Sequence, residues 1–236
     1  MTAPPSAAPK PGPSRTFIWR RMVRLSGPAA QTWVDEYEQH LDLIQMSTQA
    51  LKLCHQRRFD EGFEVLETMR EALEVRQGLR ESVQAVIERY YYGVLGYYFY
   101  CTHRWDEASQ AMHRANRAVV RAVEKAPFLL PLADACHEFC LHHARIARNQ
   151  GRWQEMFDRI ADVRAMMRNL APLCVLDDGT RVDYDTLTEH YRSLGELDPA
   201  DREEIEPMLT ESGRVALLEQ FVRRMLALPG FAIQYP

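Results

Sequence analysis

The sequence predicts an all-α fold of stacked antiparallel helical hairpins, closed by a C-terminal helical cap. A short motif occurs three times, and each copy joins one long helical pattern to the next. Residues that favour helices, such as Ala, Leu, Arg and Glu, are abundant, whereas the 236 residues include only 11 Gly. The three copies of the motif are Arg58-Phe59-Asp60-Glu61, Arg104-Trp105-Asp106-Glu107 and Arg152-Trp153-Gln154-Glu155.

Composition divides the chain into four parts. Residues 1–15 are rich in Pro, Ala and Ser, and we expect a disordered tail because such a stretch cannot bury a core. Residues 16–37 form a basic segment and the start of the first helix, and residues 38–171 hold the repeated hairpins. Residues 172–236 are predicted to form the acidic helical cap.

Hydrophobic periodicity and helix-breaking residues define six helices before the cap. The fourth has the clearest period, because small apolar residues recur at three- and four-residue intervals from Ala108 to Ala122. Gly78, Pro127 and Gly151 mark three of the breaks between helices. The expected ranges are 29–56, 60–76, 79–103, 106–126, 132–150 and 154–170.

The cap begins with the residues around Asp178-Gly179, which predict either a small β-hairpin or an irregular loop. Two or three further helices are expected over residues 184–194, 199–208 and 212–228. The last residues, 229–236, are apolar enough to pack against the protein or to dock elsewhere.

Charge, hydropathy and cysteine content argue against several classes of protein. The formal net charge is −4 and no concentrated positive domain is present, so nucleic-acid binding is not expected. The sequence contains no apolar run of about 18 residues, so no transmembrane helix is expected. The five cysteines suit reduced thiols, and we expect a cytoplasmic protein. The basic residues 16–25 are expected to dock onto the first helices, with a membrane-surface or organelle-targeting role as the alternative.

Residues at fixed distances from the three motif aromatics Phe59, Trp105 and Trp153 follow a pattern. The residue nine positions earlier is small in each copy, and a second small position follows three residues after the aromatic, where the third copy has Met156. This pattern resembles the tetratricopeptide repeat and covers roughly residues 38–170. The spacings of 46 and 48 residues exceed the usual length of about 34, which implies a divergent α-solenoid with long repeats. The small residues nine positions earlier are Ala50, Gly96 and Ala144.

The resemblance implies a concave groove, lined by the first helix of each hairpin, that binds a peptide. The first hairpin would contribute a mainly apolar set, Ile44, Ser47, Leu51 and His55. The partner-binding residues implied for the second and third hairpins are Tyr90, Tyr97, Tyr100, Glu138, Arg145, Arg148 and Asn149.

Each of these residue types has a second interpretation. Tyr97 and Tyr100 offer large apolar bodies with polar tips for a partner, but aromatic packing between long helices is the alternative. Arg145 and Arg148 could bind the carboxylate of an acidic peptide or of a chain terminus. Ion pairs with the protein's own acidic C-terminal region are the alternative for these two arginines.

A metal site and a catalytic site have weaker support. Cys136, Cys140 and His143 share one face of a predicted helix and could begin a zinc site. No CxxC pair or HExxH motif accompanies them, and buried cysteines are common in helical cores. No GxSxG, P-loop or GxGxxG motif is present, so the sequence assigns no catalytic residue and no cofactor.

These observations predict a non-catalytic adaptor or scaffold that binds a protein or peptide segment, extended or helical and partly acidic, in the concave groove. One alternative is a regulatory sensor whose helical array closes on a ligand or signalling peptide. Another is a metal-dependent helical enzyme or metal-binding protein. The sequence leaves the oligomeric state and the identity of the partner open.

Overall fold

A computed structural model describes residues 23, 25–76, 78–195 and 199–227 of the chain. The predicted tail 1–15, most of the basic residues 16–25 and the apolar end 229–236 lie outside these residues. The α-helices are α1 (Pro28–Glu38), α2 (Leu41–His55), α3 (Phe59–Val75), α4 (Glu81–Cys101), α5 (Trp105–Lys125), α6 (Ala135–Asn149), α7 (Trp153–Met167), α8 (Tyr184–Ser193), α9 (Pro199–Leu209) and α10 (Glu211–Ala227). A 3₁₀ helix (Pro127–Asp134) and two short strands, β1 (Cys174–Val175) and β2 (Arg181–Val182), complete the described elements.

Three helical hairpins, α2/α3, α4/α5 and α6/α7, form the body of the fold, and the predicted all-α class is confirmed. A Cβ atom on Gly62 would lie 3.3 Å from the carbonyl oxygen of Ala50, and one on Gly96 would lie 3.3 Å from that of Ala108. The two helices of each hairpin therefore touch closely at the small positions that the sequence marks. The equivalent pairs are Ala50 with Gly62, Gly96 with Ala108, and Ala144 with Met156.

The three motif copies adopt the same backbone turn between the helices of each hairpin. A left-handed residue follows the first helix in every copy, namely Arg57 (φ 61°), His103 (φ 62°) and Gly151 (φ 72°). The next amide donates to a carbonyl oxygen five residues earlier, the bond that defines a Schellman helix end. These bonds join Arg58 N to Leu53 O, Arg104 N to Phe99 O and Arg152 N to Ala147 O, each at 2.9 Å.

The motif arginine and glutamate also pair with each other at the start of the second helix. Arg104 and Glu107 form a salt bridge at 3.0 Å. The same pair recurs between Arg58 and Glu61 and between Arg152 and Glu155. These carboxylates therefore lie at the start of the second helix of each hairpin and pair there with the motif arginine.

The single helix predicted over residues 29–56 is wrong, because the chain breaks at Gln39 and His40 into α1 and α2. Helix α1 packs across the start of α4 instead of continuing along α2. The indole Nε1 of buried Trp33 donates to Ser82 Oγ at 2.8 Å. Its ring stacks on Tyr37 at a centroid distance of 5.4 Å. This contact with α4 sets the direction of α1.

The α-helix found here, α6, is shorter than the predicted helix over residues 132–150. The chain first forms the 3₁₀ helix, which includes the first three of these residues. Pro131 lies inside that segment and cannot donate a backbone hydrogen bond. The α-helix then starts at Ala135. Helices α3, α4, α5 and α7 end within three residues of the predicted bounds.

The cap starts with a β-hairpin, so the hairpin alternative is confirmed. Strands β1 and β2 pair antiparallel, and the turn uses Gly179 at a φ of 84°. The Asp183 side chain then accepts a hydrogen bond from the Thr186 amide at 2.9 Å and caps α8. Buried Tyr184 joins the cap to the 3₁₀ helix and to α6, because its hydroxyl donates to Asp134 Oδ1 at 2.7 Å and lies 2.9 Å from Nδ1 of His137.

Helix α10 packs antiparallel to α7 at the end of the array. Arg168, just after α7, pairs with Glu211 at the start of α10 at 3.5 Å. Further along α10, Phe221 packs against the cluster that contains Ala144 and Met156. The predicted C-terminal helical cap is therefore present. No helix among the described residues is long and apolar enough to cross a membrane.

Candidate functional site

A row of contacting side chains crosses the first helices of all three hairpins. The His55 ring of α2 meets the Tyr97 ring of α4 edge-on at 5.2 Å. Tyr97 stacks on Tyr100 at 6.3 Å. Asn149 of α6 then donates from Nδ2 to the Tyr100 hydroxyl at 2.6 Å. We call these four residues the inner row.

The inner row has a buried base and an accessible side. Tyr100 is only 9% exposed and packs edge-on against Trp105 at 5.6 Å. Burial raises the pKa of its hydroxyl, although the bond from Asn149 opposes the change. The Tyr97 ring is half-buried and His55 is exposed. Tyr97 and His55 therefore form the accessible part of the row, whereas Tyr100 lies beneath them and bonds α4 to α6.

Arg145, predicted to bind a carboxylate, is covered by the cap. It is 8% exposed, and its guanidinium lies 4.4 Å from the centre of the Phe221 ring of α10. Its Nη1 lies 3.3 Å from Nδ1 of His142. Its described contact with the C-terminal region is therefore a cation–π contact.

Arg148 is the more accessible of the two predicted arginines, since it is half-buried. It lies one residue before Asn149 and close enough to Tyr100 that its charge opposes the raised pKa of the phenol. The Arg148 guanidinium therefore places a positive charge beside the inner row, near the C-terminal end of α6.

Tyr90 and Glu138 lie away from the inner row. Tyr90 is half-buried against the main core, with the Arg89 guanidinium 4.8 Å from its ring centre. It precedes Tyr97 by seven residues, about 10 Å along α4. Glu138 is exposed near the start of α6, at a similar distance from Arg145 along the helix. The other five predicted binding residues lie near the C-terminal ends of α4 and α6.

The three metal-ligand candidates have different neighbours. The Cys174 thiol of β1, together with burial, raises the pKa of the Cys136 thiol well above its ordinary value. Cys140 is half-buried, whereas His143 Nδ1 lies 3.2 Å from Ser109 Oγ of α5. Within the described parts of the chain, no group of three or more His, Cys, Asp or Glu side chains could hold a metal ion.

Helix α5 carries four basic residues, and three of them contact α4; the four are Arg114, Arg117, Arg121 and Lys125. Arg121 pairs with Glu88, and Lys125 Nζ lies 3.1 Å from a Glu81 carboxylate oxygen. Arg114 lies 5.5 Å from the Tyr92 ring centre. Arg121 and Lys125 therefore pair with acidic residues of α4.

The three motif aromatics occupy equivalent positions in the sequence, but the third is more exposed than the other two. Phe59 and Trp105 are half-buried, whereas Trp153 is 52% exposed. Phe157, one turn further along α7, is 55% exposed. The four-residue spacing of these two aromatics on a predicted helix was the available signal for an apolar surface.

Comparisons with protein-family models, with curated proteins and with solved structures found no match to this chain. The tetratricopeptide resemblance therefore stays a prediction. The all-α hairpin architecture rests on the structure itself.

Proposed function

We propose that the protein is a non-catalytic adaptor that binds a segment of a partner protein across the inner row. The observation that carries the proposal is the unbroken series of side-chain contacts from His55 to Asn149, which spans three hairpins. An extended or helical segment laid along this row would meet one accessible aromatic ring and one guanidinium. The resemblance to a peptide-binding repeat family supports the same function.

The side chains of Tyr97 in the inner row and of Arg148 beside it indicate which residues a bound segment would carry. Tyr97 offers apolar area with a polar tip, and aromatic residues of this kind are enriched at interfaces. Arg148 can form paired hydrogen bonds with a carboxylate. We therefore expect an apolar residue followed or preceded by an acidic residue or a carboxyl terminus. All five cysteines are free thiols, which supports a reducing compartment such as the cytoplasm.

A peptide selection tests the proposal even though the partner is unidentified. A random linear peptide library is selected on the immobilised protein, and synthetic copies of the recovered peptides are titrated by fluorescence anisotropy. Tyr97→Ala is expected to weaken binding by about 2 kcal/mol, or roughly thirtyfold. Arg148→Ala should weaken binding more at low salt than at high salt.

Arg117→Ala is the matched control, because Arg117 is exposed on α5 and lies outside the inner row. This variant should bind the peptides as the parent protein does. Equal affinity of Tyr97→Ala and Arg117→Ala would contradict the proposed site. Circular dichroism of each variant confirms that the fold is retained.

The contact between Phe221 and Arg145 favours a second candidate, a sensor in which a ligand displaces α10. A displaced α10 would uncover the Arg145 guanidinium beside Arg148. Small-angle scattering with and without a selected peptide separates the two functions. A static adaptor keeps its radius of gyration, whereas a sensor of this kind changes it.

A further inference from the structure

Two histidines from neighbouring hairpins face each other on the side of α6 that packs against α5. The ring centres of His113 and His143 lie 4.3 Å apart, with the planes inclined by 36°. His143 is 9% exposed and His113 is exposed to solvent. The pair is therefore anchored on one side and open on the other.

The buried member of the pair is held in a defined orientation. Its Nδ1 lies 3.2 Å from Ser109 Oγ, one turn before His113 on α5. If Nδ1 carries the proton and donates it to this hydroxyl, the lone pair of Nε2 is available to a ligand. Metal-binding histidines commonly use their second nitrogen in this way.

The charges around the pair limit its affinity for a cation. Arg159 is close enough to His143 for its charge to act on the imidazole. This guanidinium repels an incoming metal ion, so the affinity should be moderate.

We propose that His113 and His143 together bind one divalent transition-metal ion between α5 and α6. Imidazole nitrogens suit Zn²⁺ and Ni²⁺, whereas Mg²⁺ and Ca²⁺ prefer oxygen ligands. Water would occupy the other coordination positions, as expected where the protein supplies only two ligands. An ion held there would join the second hairpin to the third.

Calorimetric titration with the metal salts tests this site. The protein carries Cys140→Ser, which removes the half-buried thiol on the same helix, and is titrated with Ni²⁺ and Zn²⁺ in separate runs. One ion per chain is expected to bind, with Mg²⁺ giving no signal. His113→Ala should weaken binding at least tenfold, and Ser109→Ala should weaken it less.

The controls separate this site from the other histidines. His103→Asn changes an exposed histidine elsewhere and should leave the affinity unchanged; Asn tolerates the left-handed backbone at this position. His113 is exposed, so its replacement leaves the core intact even if His143→Ala fails to fold. The proposal is overturned if neither ion shows saturable binding, or if His113→Ala binds as the parent does. No partner peptide is involved, so the result is independent of the adaptor function.

Discussion

At the scale of single residues, two glycines of α4 illustrate how position decides the effect of a side chain. A Cβ atom on Gly96 would lie 2.8 Å from Met112 Cε and 3.3 Å from the Ala108 carbonyl oxygen. A Cβ atom on Gly93 would meet nothing within 4 Å. Gly96 therefore allows α4 and α5 to approach, whereas Gly93 only lowers the helix propensity.

These environments predict opposite effects on stability. Gly96→Val should lower the free energy of unfolding by about 1–3 kcal/mol, because the added carbons force α4 and α5 apart. Gly93→Ala should raise it by about 0.5–1 kcal/mol, because alanine favours the helix. Urea unfolding followed by circular dichroism measures both. A destabilisation of similar size in the two variants would contradict the described packing of α4 on α5.

His143 makes a pH-dependent contribution to stability. Its pKa is lowered from 6.5 to about 4 in the folded protein, first by burial and then by His113 and Arg159. Between these values the unfolded chain binds more protons than the folded one, so acid favours unfolding. The contribution is fully present above pH 6.5 and is lost as the pH falls to about 4. Urea unfolding in the presence of a chelator should show a shallower fall for His143→Gln than for the parent. Parallel curves would indicate that this histidine is not buried as described.

At the scale of elements, the turn between the two helices of each hairpin is the most regular feature. Each turn places its left-handed residue two positions before the motif aromatic, and only the third copy uses glycine there. The other two copies use Arg57 and His103, which bear a Cβ atom that disfavours this conformation.

Exchanging these residues should change stability in a predictable direction. Arg57→Gly should raise the free energy of unfolding by about 1 kcal/mol, and Gly151→Ala should lower it by a similar amount. Gln56→Gly is the control, because Gln56 has a φ of −81° and gains nothing from glycine. Thermal and urea unfolding measure these changes. A gain for Gln56→Gly together with a loss for Arg57→Gly would contradict the turn geometry.

Some elements could be predicted from the sequence because their signals are local. Gly78, Pro127 and Gly151 mark the breaks around the central helices, and the motif acids mark helix starts. The break between α1 and α2 has no Gly or Pro beside it. It accompanies the bond from Trp33 to Ser82, 49 residues apart in sequence, and no local pattern indicates such a contact.

At the scale of the whole molecule, one main core runs from Val23 to Leu218 and joins the hairpins to the cap. The resemblance to a repeat family predicted which helices line the candidate site, so Tyr97, Tyr100 and Asn149 could be identified from the sequence. The contact of Phe221 with Arg145 could not be predicted from the sequence. This contact joins the third hairpin to α10, and periodicity does not show where α10 lies against the array. The pairing of His113 with His143 could not be predicted either, because it depends on how α5 packs against α6.

Site-specific photo-crosslinking in the native host tests the central claim most directly. A photoreactive phenylalanine analogue replaces Tyr97 in one form of the protein and Arg117 in another, and the adducts are identified by mass spectrometry. An adaptor that binds a partner segment across the inner row should give a specific adduct from position 97 and none from position 117. Adducts from position 117 alone, or the same adducts from both positions, would contradict the inner row as the binding site.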